Sequence, residues 1–322
     1  MRIFRWLALT ALLLPLASAV HAQESWPNRP LRLVVPVVPG GGIDTLTRLV
    51  AERMSGILGQ PFIIENVSGA SGTIAAANVA RSAPDGYTFL IQSVSAATNL
   101  HIMKGLSYDP LKDLVPVTLV ARIPMVAVIN SEIPARNMAE FIALLKANPG
   151  KYSYGSSGVG TIVHIAGELL KSSAGVDMVH IPYRGGAAAT LDLLAGRVAL
   201  TFDGIMPQLS NIQSGKVRAL AVMGAERLSI LPDVPAIVES IPGYDLNNWI
   251  AIFAPALTPQ NVIERVAKAA NIAAKDPGLI RRFAELGATG VGSSPDEMKQ
   301  YWQQQVDYYG KVIAKSNIQL GQ

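Results

Sequence analysis

The sequence predicts an α/β protein of two doubly wound lobes with a ligand cleft between them. Three observations lead there. Short apolar, β-branched runs alternate with helix-spaced segments along most of the 322 residues. Glycine-rich loops sit where such a run hands over to a helix. The last third turns helical, which brings the chain back over the first unit.

Each element follows from its own pattern. Residues 31–36 form an apolar strand, and residues 43–58 carry helix spacing through Ile43, Leu46, Leu49, Val50, Met54 and Ile57. Gly59 closes that helix. A strand at 62–65, an Ala-rich helix at 73–81, a Pro84-Asp85-Gly86 turn and a strand at 87–92 complete βαβαβ. That order implies parallel pairing with right-handed crossovers. A second unit follows, with strands at 125–129, 152–154, 178–181, 198–202 and 217–222, and helices at 137–147, 162–173, 187–195 and 206–214. After Leu231-Pro232-Asp233-Val234-Pro235 come one strand, 248–253, and helices at 259–274, 277–286 and 295–314. The last helix carries Trp302, Val306, Tyr309, Val312 and Ile313 as one apolar stripe, a core face. Crossings near 121–124 and 240–248 divide the chain into domain 1 (23–123 plus 247–322) and domain 2 (124–246). Two lobes joined by two crossings is the geometry of hinge-closing binding proteins.

Composition narrows the function. Half of the residues are hydrophobic and 16% are charged, so the chain can fill substantial cores. Arg2 and Arg5 precede an apolar stretch over 6–20, and Val20-His21-Ala22 offers a small-x-small cleavage site. That order reads as a secretory signal peptide over residues 1–22, so the mature protein is expected to be soluble and exported. Its removal leaves 25 basic against 23 acidic side chains. No basic run is dense enough to track a phosphate backbone, so no nucleic-acid partner is expected. Zero cysteines exclude disulfides, thiolate catalysis and cysteine-type zinc sites.

Four loops share one feature: each follows a strand and opens a helix. They are Pro39-Gly40-Gly41-Gly42 before Asp44, Ser68-Gly69-Ala70-Ser71-Gly72, Gly155-Ser156-Ser157-Gly158-Val159-Gly160-Thr161, and Tyr183-Arg184-Gly185-Gly186. Ligands of open α/β sheets sit outside the carboxyl ends of the strands. Helix amino termini there offer unpaired N–H groups and partial positive charge to an anion. Glycine lets the anion approach, and Ser or Thr adds hydroxyls. No loop has the spacing of a dinucleotide fingerprint or the Gly-Lys-Ser/Thr of a P-loop, so a small organic carboxylate is the simpler guest, with no cofactor. Asp44 stabilises a helix start or meets the ligand, and Asp203, at a strand end, would accept from a ligand hydroxyl or amine.

A hydrolase is the alternative. An exported serine enzyme would use Ser156 or Ser157 with His164, which lies one turn into the following helix. The Gly-x-Ser-x-Gly elbow fails at its last position in both candidate loops, so a ligand-orienting role suits His164 better. His101, His164 and His180 show no i, i+4 pairing, so no metal site is expected.

Taken in order, a set of short motifs resembles the substrate-binding proteins of the tripartite tricarboxylate transporters, the Bug proteins. The marks are residues 34–44, Glu65-Asn66, Pro84-Asp85-Gly86-Tyr87-Thr88, Tyr108-Asp109-Pro110, residues 155–164, Pro182-Tyr183-Arg184-Gly185, Leu220-Ala221-Val222, Arg227, residues 231–235 and Ala254-Pro255. The resemblance spans nearly the whole mature chain. It implies a periplasmic, type II, two-lobe receptor, expected to act as a monomer, that binds a small carboxylate and delivers it to membrane permease subunits without catalysis. Its site residues would be Gly40, Gly41, Gly42, Asp44, Ala70, Ser71, Gly72, Ser156, Ser157, Gly158, Thr161 and His164, with Tyr183, Arg184, Gly185, Gly186 and Asp203 facing them. The chain departs from the family pattern at Val37, where an aromatic is common, at Val67-Ser68 in place of Arg-Pro, and at Ser71 in place of glycine.

Overall fold

The computed structural model of the protein describes residues 26–244 and 246–316, so the expected signal peptide lies outside the described residues. The first sheet begins with β1 (Leu31–Val35), α1 (Gly42–Leu58), β2 (Phe62–Asn66), α2 (Thr73–Ala80), β3 (Thr88–Ser93), α3 (Ser95–Ile102) and β4 (Leu114–Ile123). Only Pro124 separates β4 from β5 (Met125–Asn130), the first strand of a second sheet. That unit continues through α4 (Met138–Ala147), β6 (Ser153–Ser156), α5 (Ile162–Ala174), β7 (Val179–Pro182), α6 (Gly186–Leu194), β8 (Leu200–Gly204), α7 (Ile205–Gln213) and β9 (Val217–Val222). The chain then re-enters the first sheet with β10 (Asn248–Pro255), followed by α8 (Gln260–Ala274), α9 (Pro277–Glu285), β11 (Thr289–Gly290) and α10 (Pro295–Ser316).

Strand order is β11-β4-β10-β3-β1-β2 in the first sheet and β7-β6-β8-β5-β9 in the second. β1 pairs in parallel with β2 and β3, as βαβαβ requires. Each sheet also takes one strand that arrives from the other: β10 runs antiparallel to β3 and β4, and β5 antiparallel to β8 and β9. The lobes are thus joined by the β4–Pro124–β5 junction and by the stretch between β9 and β10, with each crossing delivering a strand to the sheet it enters.

The core is largely aliphatic, with its densest aromatic cluster on one face of the first sheet. α1, α8 and α9 cover one face of the first sheet through Leu46, Val50, Met54, Val266, Ala270 and Phe283. α2, α3 and α10 cover the other. There Trp249 and Phe253 meet the edge of Trp302, with centroids 6.2 and 5.3 Å away. Trp249 Nε1 donates to Gln305 Oε1 at 2.8 Å, so the indole loses no hydrogen bond on burial. Each such ring pair adds about 0.5–1.5 kcal/mol beyond area burial. The α10 stripe is a core face, as its spacing predicts. α10 also packs against α5, so it spans both lobes.

The sequence reading omits α3, β4 and β11. α3 (Ser95–Ile102) has almost no amphipathic period, since Ala96, Ala97, Thr98 and Asn99 are all buried. β4 runs directly up to the expected crossing near 121–124, and β5 matches the strand expected at 125–129, so what is missed is β4 itself, a buried apolar run without alternation.

Candidate functional site

The first rim is built on α1 and α2. Pro39 to Gly42 turns from β1 into α1, and Asp44 locks that turn from inside. Its carboxylate, 2% exposed, accepts from Gly40 N at 2.8 Å, Arg48 Nε at 2.9 Å and Asn66 Nδ2 at 2.8 Å. Burial alone raises its pKa, but hydrogen bonds from Arg48, Gly40 and Asn66 outweigh that and hold it below the ordinary value. Asn66 also donates to Val37 O at 3.0 Å, so one amide joins the end of β2 to the turn. The Gly40 amide is therefore occupied. Gly41 is the N-cap with no side-chain cap, and the first-turn amides of Gly41, Gly42 and Ile43 have no acceptor among the described residues.

The second turn is strained. Gly69, Ala70, Ser71 and Gly72 all have positive φ, of 128, 44, 53 and 88°. Two of them are not glycine, and each such residue costs about 1–3 kcal/mol unless its surroundings hold it. Gly72 is packed so closely that a Cβ would lie 3.1 Å from Pro36. Asn99, on α3, donates to Ser71 O at 3.0 Å and braces the turn from below.

In the second lobe the α5 terminus satisfies itself. Ser156 Oγ bonds Gly158 on both its N–H and C=O, and meets His180 Nε2 at 2.6 Å. Thr161 Oγ1 donates to Gly158 O at 2.7 Å, and Gly160 N donates to His164 Nδ1 at 3.2 Å. His164 is 5% exposed and stacks on His180 with centroids 4.1 Å apart. Burial lowers the His164 pKa; burial and then His164 itself push His180 down to about 4. Both rings are neutral at pH 7. Ser156 is fully buried and pairs with His180 rather than with His164, which supplies an acceptor to the loop.

The α6 terminus is open by contrast. Gly185 caps it at φ 104° with no side-chain bond. A Cβ on Gly186 would lie 3.7 Å from Asp203 Oδ2, so the end of β8 faces this terminus. Asp203 accepts from Gly204 N at 2.8 Å and Gln208 Nε2 at 3.0 Å. Burial nevertheless outweighs these bonds and raises its pKa. Tyr183 N donates to Ser156 O, which sets the α6 turn beside the α5 turn. The Tyr183 hydroxyl is committed to Asp192 at 2.7 Å. Arg184 is exposed and has no hydrogen bond or ion pair among the described residues.

The rims touch. Ser71 Oγ donates to Val159 O at 2.8 Å, and Thr98 Oγ1 reaches Gly160 O at 3.4 Å. The turn from Ala70 to Gly72 therefore stands against Val159 and Gly160 of the α5 turn, with the Tyr183 turn beside the latter. Ser157 and Gly158 are half-buried in the α5 turn. The reading from residues alone misses the braces Arg48, Thr98, Asn99, His180 and Gln208. Thr98 and Asn99 stand on the helix whose period is absent, whereas Asn66 was visible within the Glu65-Asn66 mark.

Two α/β lobes joined by two crossings, whose glycine turns meet, define a solute receptor of the type II periplasmic binding fold. Solved structures agree. The chain is 39% identical to a protein described as a periplasmic transporter, with a TM-score of 0.85 over 92% of this chain and 100% of that one. A Rhodopseudomonas palustris protein solved with adipate is 34% identical, with a TM-score of 0.85 over 91% and 99% of the two chains. MatC of the same organism, solved with bound malate, is 30% identical, with a TM-score of 0.82 over 89% and 100%. Among sequence relatives, BugT of Bordetella pertussis is 33% identical over 94% of both chains. The family described as "Tripartite tricarboxylate transporter family receptor" matches residues 46–318, and the chain belongs to that family. The expected resemblance and fold are thereby borne out.

Proposed function

We propose that the protein is an extracytoplasmic receptor that binds a small organic carboxylate and hands it to the permease subunits of a tripartite tricarboxylate transporter. The observation that carries this reading is the set of open first-turn amides at α1, on a turn whose own carboxylate faces inward. A ligand carboxylate there would gain charge-assisted hydrogen bonds and a favourable helix-end potential. The α6 terminus, Arg184 and Asp203 would receive the remainder of the ligand from the other side. Adipate and malate on two relatives support an acid with two polar ends.

The lobes correspond to 23–123 plus 247–322 and to 124–246. Binding would proceed by closure, since the ligand contacts both rims only when they meet. The fully buried Ser156 hydroxyl argues against a nucleophile. Periplasmic location follows from the family and from the expected signal peptide; no described helix is long and apolar enough to cross a membrane.

Thermal shift against a panel of mono-, di- and hydroxycarboxylates, adipate and malate included, tests the reading. At least one acid should raise the melting temperature saturably, and calorimetry should return it unmodified. A panel without a single stabilising acid would overturn the proposal.

A further inference from the structure

The contact between the rims is made by a side chain that the family pattern does not require. Ser71 stands where the resemblance leads one to expect glycine, and its φ of 53° is a value that favours glycine. Ala70 holds a positive φ beside it without any polar side chain, so what sets Ser71 apart is where its hydroxyl goes. The hydroxyl is not spent on its own turn: it crosses 88 residues of sequence to Val159 O, at 2.8 Å. The contact is buttressed on both sides. Asn99 fixes the Ser71 carbonyl at 3.0 Å, and Gly160 lies so close that a Cβ there would be 3.3 Å from Ile102 and 3.4 Å from Ser71 Oγ. Thr98 adds a weaker bond to Gly160 O.

We infer that Ser71 is a closure-setting residue: its hydroxyl latches the second glycine turn of the first lobe to the α5 turn of the second, and so holds part of the unliganded population shut. The inference deepens the receptor reading by naming the side chain that tunes its open–closed equilibrium. Binding affinity of a closing receptor scales with the fraction of molecules already competent to bind. One neutral hydrogen bond shifts such an equilibrium roughly two- to tenfold. Ser71 therefore acts on ligand affinity through closure, without having to touch the ligand.

The chain has no cysteine, so paired spin labels can be introduced cleanly. Exposed Glu52 on α1 and exposed Gln213 on α7 supply one site in each lobe. Pulsed dipolar spectroscopy on ligand-free protein reads the ratio of short to long distances in the wild type, Ser71→Ala and Ser71→Gly. Both variants should lower the closed share relative to the open one by roughly two- to tenfold. Ser71→Gly should also melt no lower than Ser71→Ala, because glycine relieves the positive φ while both lack the hydroxyl. Unchanged distance ratios in both variants, with melting intact, would overturn the latch. So would a wild type that is wholly open without ligand. The measurement uses no ligand, so its failure leaves the receptor reading standing, and failure of the carboxylate panel leaves the latch standing.

Discussion

The α1 and α5 termini answer the same problem in opposite ways. Both follow a strand and both are glycine-rich. At α1 the acidic side chain turns inward and takes one amide, leaving the next ones open. At α5 serine, threonine and histidine side chains bond the loop's own groups. Glycine content alone therefore does not mark an anion site. What marks it is which amides the neighbouring side chains leave unused.

The comparison can be broken from either side. The largest effect is expected at the meeting of the rims: Ser71→Trp should abolish carboxylate binding, because an indole cannot share the space against Gly160, while circular dichroism stays native. Gly41→Val should do the same from the α1 side. Gly41 has an ordinary φ of −73° and a Cβ there would touch only Val38 O at 3.8 Å, so the fold should hold while the branched side chain covers the amides. Normal affinity in calorimetry for Gly41→Val would remove the α1 rim from the site, and for Ser71→Trp the second turn.

A second contrast concerns stability. α5 is seated on Tyr154, whose ring lies 2.1 Å from any Cβ placed on Gly167. Tyr154 is fully buried and bonded to Glu168, so it cannot swing away. Gly167→Ala should cost about 3 kcal/mol, the upper end of ordinary overpacking, measured by urea unfolding. Asp44→Ala should cost about 1–3 kcal/mol, since it leaves Gly40, Arg48 and Asn66 without their shared acceptor.

Acid should separate the termini. His180 has a folded pKa of about 4, below the unfolded value of about 6.5. The unfolded chain then binds more protons between those values, so stability falls as pH drops from about 6.5 to 4. His180→Gln should flatten that slope. Asp44 is also depressed, so its contribution is present above the unfolded carboxylate value and is lost only at still lower pH, through its folded pKa. Asp44→Asn should leave the 6.5-to-4 window unchanged and alter only the more acidic limb of a melting curve. The smallest effect is expected for Arg184→Ala: stability within about 0.5 kcal/mol of wild type, and a few-fold loss of dicarboxylate affinity relative to wild type, with a smaller loss for its monoamide analogue.

Much of the fold was legible because alternation of apolar runs and helix-spaced segments is a local property. The ends of α1, α5 and α6 came within a residue or two of their observed positions for that reason. α3 was not legible, since it buries Thr98 and Asn99 beside Ala96 and Ala97, so burial follows no apolar period in its sequence. β4 was not legible as a strand either, although the crossing near 121–124 and the strand that follows it were, because its apolar residues run without a polar alternation.

The residue order by itself determined the two α/β units, the family and the glycine turns that open the helices, because each depends on neighbours in sequence. Only the tertiary structure decided which donors at those turns stay available. That choice turns on partners brought from afar: Asn66 to Asp44, His180 to Ser156, Val159 to Ser71. A hydrogen bond needs an acceptor within about 3 Å, and the chain places those acceptors only after both sheets have formed.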